Sequence, residues 1–394
     1  MNIERSVSHG ARIEGICDER FAPVLDAFTE NFERRDEVGA SLCVNIDGQT
    51  TVDLWGGYRD IDRQQPWNRE TVGIVYSCTK AATALCAQRL VDQGLLDLDR
   101  TVAHYWPDFA GDGREAAIVR MALNHTLGLP AVREPVKKGG FYDPDYMIAR
   151  LADEVLFWQP GEKVGYHMFT FGWIIGELVR RVSGKSLGRY FQDEIAGPLE
   201  LDFWIGLPPD RKPEIAPIIP FKPGPDTELT SFMKALIGNR DSTSFLAYLN
   251  TGRFNANSPD AHAAEIGAAG GIANARALAA MYAPLVNGGS LLSTERITDM
   301  ARLSSETHND ETLLIPTRFG QGFMLSMDNH GLPEGSSAII GPNAFGHVGM
   351  GGSIGFGDPE NRLAFGYTMN RLGGGILLNE RGQSLIDAAY RCLG

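Results

Sequence analysis

Alternating apolar residues mark two stretches at opposite ends of the chain. Leu42, Val44 and Ile46 interleave with Ser41, Cys43 and Asn45, and an Asp47-Gly48 turn leads to Val52 and Leu54. Past residue 350 the pattern returns in Ile354 and Phe356, a turn at Asp358-Pro359-Glu360-Asn361, and then Leu363, Phe365, Tyr367 and Met369. A period of two is the mark of a strand with one face toward a core, and Asp-Gly between two such runs is a hairpin signal. A further strand is predicted over Phe319 to Met327. Between the two ends the spacing turns helical: an amphipathic stretch from Glu19 to Arg35 precedes the first hairpin, and helices are predicted over Ser77–Gln93, Tyr146–Val155, Thr170–Val182, Leu187–Ile195, Ala275–Ala283 and Thr294–Leu303, with a last one carrying Leu385, Ala389 and Cys392. Strands that must find each other across the whole chain imply an α+β protein. The N- and C-terminal segments (1–100 and 311–394) form one antiparallel sheet domain flanked by helices, and a mostly helical domain (101–310) is inserted into it. Pro208, Pro209, Pro213, Pro217, Pro220, Pro223 and Pro225 within 207–226 predict a loop or lid, since repeated proline sustains neither a helix nor a central strand.

Charge and cysteine usage narrow the functional classes. The 36 basic residues are outnumbered by 49 acidic ones, and a net charge of −13 repels nucleic-acid phosphates and anionic lipid headgroups. The most apolar run, Phe169 to Val179, is broken by polar residues well before the ~20 residues of a spanning helix. No nucleic-acid or membrane partner is expected. The first residues, MNIERSVSHGARIEG, lack the apolar core of an export signal, and the five cysteines are scattered without a C-x-x-C pair. A cytoplasmic location is expected. Nothing in the sequence specifies an oligomeric state.

Three motifs invite a catalytic reading. Ser77-Cys78-Thr79-Lys80 is an S-x-x-K, whose spacing puts an amine one helical turn from a hydroxyl on the same face. A serine attacks only when a base takes its proton, and a lysine is that base only if desolvated or placed beside positive charge. The same pattern occurs at Ser231-Phe232-Met233-Lys234 next to the Pro-rich stretch, where a solvated lysine is the simpler reading. Ser77 instead follows apolar Ile74-Val75-Tyr76 and opens an Ala-rich helix able to pack deeply and hold Lys80 from water. Gly351-Gly352-Ser353-Ile354-Gly355 fits G-x-S-x-G, but all eight histidines precede Ser353, against the Ser-acid-His order that such an elbow needs. Ser183-Gly184-Lys185-Ser186 lacks the upstream glycine of a phosphate loop, where Val179 stands, and the dispersed histidines give no metal site. His125 reads as a structural turn residue.

Around Ser77-Cys78-Thr79-Lys80 the chain resembles the serine β-lactamase and penicillin-binding protein superfamily, in the class C-like branch that holds the family VIII carboxylesterases. Asn124-His125-Thr126-Leu127-Gly128-Leu129-Pro130 is similar to the L-x-H-T-S-G-L segment of that family, with Asn124 and Leu127 departing from it. Tyr166-His167-Met168 after Pro160-Gly161, with Gly172-Trp173-Ile174-Ile175-Gly176-Glu177 beyond, is similar to its Tyr-x-Asn region. Ala268 to Ala275, Asn287-Gly288-Gly289 and Gly346-His347-Val348-Gly349-Met350-Gly351-Gly352 resemble later landmarks. The resemblance implies a β-lactamase/transpeptidase-like fold with the site between sheet and helical domain, Ser77 as acylated nucleophile, Lys80 as base and Tyr166 as proton relay. It also implies an oxyanion hole from the backbone N–H groups of Ser77 and Met350, and no cofactor or metal.

Two departures bear on the substrate. His347-Val348-Gly349 stands where β-lactamases carry Lys-Thr-Gly, replacing a permanent cation with a group mostly neutral above pH ~6.5. That weakens capture of a carboxylate. Met168 stands where an asparagine amide is usual and offers apolar contact instead. His347, Gly349, Met168 and His167 are therefore the expected substrate-binding residues, and the expected substrate is a small, neutral, short- to medium-chain ester. Rival readings are a β-lactamase, D-aminopeptidase, amide hydrolase or acyltransferase on the same scaffold, or an inactive relative that only binds ligand.

Overall fold

Both alternating stretches become strands of one sheet. The computed structural model describes residues 1–111, 113–224, 228–289, 291–332 and 336–393. The N-terminal part supplies β1 (Asn2–Ser6), β2 (Arg12–Cys17), β3 (Gly39–Ile46) and β4 (Gln49–Gly57). The middle supplies β5 (Val72–Tyr76), β6 (Phe203–Ile205), β7 (Ile215–Ala216) and β8 (Gly271–Ala273), and the C-terminal part β9 (Ser305–Thr307), β10 (Thr317–Phe319), β11 (Met324–Leu325), β12 (Phe345–Val348), β13 (Ile354–Asp358) and β14 (Leu363–Met369). A ten-stranded sheet runs in the order β1-β2-β4-β3-β14-β13-β12-β11-β10-β9, and a four-stranded one in the order β6-β8-β5-β7. The two ends of the chain meet at the antiparallel seam of β3 and β14, where Leu42 faces Tyr367 and Val44 faces Phe365. The β3–β4 hairpin closes at Asp47 and Gly48, with φ of 52° and 79°, the double left-handed turn that matches strand twist.

Every residue of β3 is buried, the polar half of its alternation included. The reason is that helices cover both faces. On one side the helix α1 (Ala22–Arg34) packs against the C-terminal helix Glu380–Arg391, whose Tyr390 stacks on Phe356 of β13. On the other side the helix Ala275–Val286 lies on β3, β13 and β14. There Cys43 meets Ala275 and Ala279, and the Ser41 hydroxyl accepts from the Ala275 N–H and pairs with Thr368. Gly366 permits this approach: a Cβ at that position would stand 2.2 Å from the Ala275 carbonyl oxygen.

Several expectations need correction. The single strand expected over Phe319 to Met327 is a hairpin of β10 and β11, because Gly320 turns the chain back through a bond from its N–H to the Phe323 carbonyl and Gly322 adopts φ of 97°. The helix expected over Leu187 to Ile195 ends as an α-helix at Phe191 and continues as a π-helical turn through Ala196. The Pro-rich stretch contains β7 between Pro213 and Pro217; it pairs with β5 at the sheet edge, where proline is tolerated. Pro225 and Asp226 of that stretch lie outside the described residues. Strands β1, β2 and the small second sheet have no counterpart in the sequence reading.

Substituting alanine at Gly366 should cost roughly 1–3 kcal/mol, because the new methyl group meets backbone that cannot move aside. The urea midpoint of G366A reads this directly, and a midpoint equal to wild type contradicts the packing described.

Candidate active site

Strand β5 brings the chain to the site and a strained residue turns it into helix α2 (Cys78–Asp92). Tyr76 has φ of 43°, a left-handed conformation that costs a residue with a side chain about 1–2 kcal/mol. The Thr79 hydroxyl holds it there, donating to the Tyr76 carbonyl while accepting 2.8 Å from the Gly271 N–H on β8. Ser77 is the N-cap of α2, yet its side chain makes no capping bond, so the hydroxyl is left for other partners. The Ala-rich start of the helix, all buried from Cys78 to Gln88, draws the next turn into the interior.

That turn carries Lys80, which is completely buried. Its Nζ donates to the carbonyl oxygens of Met168 at 2.7 Å and Ala268 at 3.0 Å, lies 3.2 Å from Ser77 Oγ and sits 4.6 Å from the centre of the Tyr166 ring. No carboxylate pairs with it among the described residues. Burial therefore lowers its pKa well below the usual lysine value. In its neutral form the amine would keep two N–H donors for the two carbonyls and turn a lone pair to the Ser77 hydroxyl.

Tyr166 closes the group. Its pKa is raised, chiefly by burial, with a hydrogen bond to Ser77 acting in the opposite direction. Burial thus weakens the hold of the amine on its proton and strengthens that of the phenol, and the two groups stand about the same hydroxyl. The backbone N–H of Tyr166 donates to both oxygens of Asp310, a fully buried carboxylate whose pKa burial raises to about 6. Asp310 has no sequence signature; only its distance to Tyr166 reveals it.

A cleft of about 420 Å³ opens over Ser77 and Tyr166. Met168, Phe169, Leu313, Val348 and Met350 line it, with Phe221 from the Pro-rich stretch and Phe232, Met233 and Leu236 from the segment after it. No charged side chain lines it among the described residues. Tyr248 lines it as well and donates its hydroxyl to Met350 Sδ at 3.5 Å. Phe232 and Met233 are the two middle residues of the second S-x-x-K, so that motif meets the cleft through its apolar positions while Ser231 and Lys234 are exposed.

The structure brings Ser77, Lys80, Tyr166, Met168 and Met350 together. His167, His347 and Gly349, expected to bind substrate, are not among the residues that line the cleft. His167 is tied at both ring nitrogens, to the Gly165 carbonyl at 2.7 Å and the Leu129 N–H at 3.2 Å. His347 is buried with Nδ1 on the Val348 carbonyl at 2.9 Å and Nε2 unpartnered, its ring 6.0 Å from that of Tyr166. Gly349 is where the nucleophile strand passes closest: a Cβ would meet the Val75 carbonyl at 2.3 Å. His125, at φ of 67°, accepts the His167 N–H and packs edge-on to Phe319, a structural role. Among the described residues no cluster of His, Cys, Asp and Glu is arranged to hold a metal ion, and no helix is long and apolar enough to cross a membrane. Of the other motifs, Ser231 and Lys234 are exposed, Ser353 is buried with its hydroxyl on the Val75 carbonyl, and Gly184 is the left-handed C-cap of the helix Thr170–Ser183.

The β-lactamase family model matches residues 25–388. Esterase/beta-lactamase LipL of Mycobacterium tuberculosis is 38% identical over 369 residues, covering 90% of this chain and 82% of that protein. A solved family VIII carboxylesterase superposes with a TM-score of 0.85 at 37% identity, over 96% of this chain and 99% of its own. A penicillin-binding protein homologue from Caulobacter crescentus gives 0.84 at 33% identity, over 96% and 99%.

The buried histidines set a pH dependence of stability. Burial lowers the pKa of His347 from 6.5 to about 3, with Lys80 adding to the shift, and burial likewise lowers His167 to about 4. Between those values and pH 6.5 the unfolded chain binds more protons than the folded one, so stability is full above pH ~6.5 and is lost on acidification. Asp310, raised to about 6, acts with the opposite sign. Replacing His347 by Gln should flatten the fall in unfolding free energy between pH 6 and pH 5 by about 1.4 kcal/mol per pH unit, the share of one proton. Urea titrations of both proteins across that range check it, and superimposable slopes would contradict a buried neutral His347.

Proposed function

Because the chain belongs to the β-lactamase family, we propose that it is a carboxylesterase that cleaves short- to medium-chain neutral esters through an acyl-enzyme on Ser77. The observation that carries this reading is a buried lysine, unpaired with any anion, set against a serine hydroxyl under an uncharged apolar cleft. Ser77 Oγ attacks the ester carbonyl as Lys80 Nζ takes its proton. The oxygen that gains negative charge lies at the N-terminus of α2, toward the backbone N–H groups of Ser77 and Met350, where charge developing in the transition state is stabilised. Tyr166 gives its phenolic proton to the leaving alkoxide and recovers one by way of Lys80. Water then attacks the acyl-enzyme, its proton passing through the Tyr166 phenol to Lys80, and collapse of the tetrahedral intermediate returns that proton to Ser77 Oγ, releasing the acid and restoring Ser77.

The choice of ester over lactam rests on the lining. β-Lactams and peptide C-termini present a carboxylate, which a site holds with a cation in bidentate or charge-assisted bonds. Here the corresponding histidine is neutral and buried behind the cleft wall, and Met168 takes the place of an amide. A volume of about 420 Å³ lies within the range of small-molecule sites. The name of the mycobacterial relative joins esterase and β-lactamase, so both activities belong in the test.

Wild type should hydrolyse p-nitrophenyl butyrate at pH 7 to 8 and barely touch a chromogenic cephalosporin, and Ser77→Ala should lose at least about a thousandfold in ester turnover. Retained turnover in Ser77→Ala removes the nucleophile assignment, faster cephalosporin cleavage reverses the substrate choice, and binding of ester without turnover by wild type favours a ligand-binding relative.

A further inference from the structure

Asp310 is a carboxylate with no exposure to solvent and no ion pair among the described residues, an arrangement that costs several kcal/mol unless N–H and O–H donors replace the lost water. The donors are present and their identity is informative. Oδ1 accepts from the backbone N–H groups of Thr312 at 2.8 Å and Leu313 at 2.9 Å in its own loop, and Oδ2 accepts from the hydroxyl of Thr317, the first residue of β10, at 3.1 Å. The remaining bond leaves the loop: the Tyr166 N–H, 144 positions earlier in the chain, is shared between Oδ1 at 2.9 Å and Oδ2 at 3.1 Å. A second tie runs beside it, from the Glu311 N–H to the Val164 carbonyl at 3.0 Å, and Lys163 pairs with Glu311 at the surface. The loop is thus bound to the segment bearing Tyr166 at that residue's N–H and at Val164 and Lys163 just before it, whereas the phenol at the other end of the side chain stands against Ser77 and Lys80.

Tyr166 does not lie in a helix or strand, so no ladder of backbone bonds fixes it. Without an outside acceptor its N–H would be buried and unmade, and the backbone here would be held only through the neighbouring Gly165 and His167 N–H groups, both on His125, a looser hold on a phenol that acid-base catalysis needs placed to within an ångström. The charge has a second effect, since an anion beside a phenol disfavours phenolate, and Asp310 acts in that sense on Tyr166. A phenol that keeps its proton is the form needed to protonate a leaving alkoxide.

We propose that Asp310 is the positioning residue of the active site, its buried carboxylate fixing the backbone of Tyr166 so that the phenol is held on the Ser77–Lys80 pair. This rests on the reading of Tyr166 as the proton relay. Asp310 touches neither substrate nor reacting atoms, so its effect belongs in turnover rather than in substrate binding, and it must vanish when the phenolic hydroxyl is absent.

The test is a double-mutant cycle on the full chain with p-nitrophenyl butyrate, using D310A, Y166F and the double variant. D310A should lower kcat about 10- to 100-fold with KM changed less than about threefold, and in the Y166F background the same substitution should cost less than about threefold. D310N, whose Oδ1 still accepts the backbone N–H groups, should retain kcat within about two- to fivefold of wild type. Equal losses in both backgrounds, or wild-type kcat in D310A, overturn the proposal and leave the reading of Tyr166 standing. Wild-type kcat in Y166F alone overturns that reading and the proposal with it. If D310A does not fold, D310S, whose side chain is too short to reach the Tyr166 N–H, carries the cycle: a loss that disappears in Y166F supports the proposal, and a loss that persists there, or none at all, overturns it.

Discussion

An amine enclosed by protein and facing carbonyl oxygens in place of a carboxylate holds its proton far less firmly than one in water, and the proposed reaction depends on that one fact. A carboxylate partner would have kept Lys80 a cation. Without one among the described residues, its Nζ lies 3.2 Å from Ser77 Oγ and is bonded to the carbonyls of Met168 and Ala268. Every structural choice around it serves the same end. The alanines of α2 let the helix sink until its first turn is covered, Thr79 pins the strained Tyr76 that aims Ser77, and Tyr166 and Phe171 close over the amine with their ring faces.

The architecture explains how such burial is sustained. A helix this deep needs walls on all sides, and the chain provides them by closing its two ends into one sheet at β3 and β14 while the middle supplies helices and the small second sheet. The site then stands at the meeting of segments distant in sequence: Ser77 and Lys80 from α2, Tyr166 from the helical middle, Val348 and Met350 from the C-terminal strands, Asp310 from the loop between them.

Much of this was legible in the sequence. The seam strands were visible because alternation survives burial on both faces, with Ser41 and Cys43 serving as the small residues under a helix where a solvated face would carry charge. Ser77 and Lys80 were visible because a fixed spacing on a helix is a geometric statement, and the exposed Ser231 and Lys234 show that the surrounding apolar context decides between copies of one motif. The parts that stayed hidden share a cause. Asp310 touches the site through a contact 144 residues long in sequence, the apolar lining of the cleft is gathered from segments far apart in the chain, and His347 sits at a family position but is buried and outside the cleft lining, which its chemical type does not disclose. The hairpin at Gly320–Gly322 was read as one strand because apolar character continues through it while only backbone geometry turns.

The protonation state of Lys80 is the claim on which the account stands, and the rate at which Ser77 is phosphonylated reports it. Full-length protein is treated with a p-nitrophenyl alkylphosphonate across pH 5 to 10, release of p-nitrophenol is followed, and the adduct is mapped to Ser77 by mass spectrometry. The expected result is a rate that rises to a plateau with a midpoint far below the ~10.4 of an ordinary lysine, and that loses this titration when Lys80 is replaced by Met. A rate that climbs without a plateau to pH 10, or keeps the same midpoint without Lys80, would contradict it.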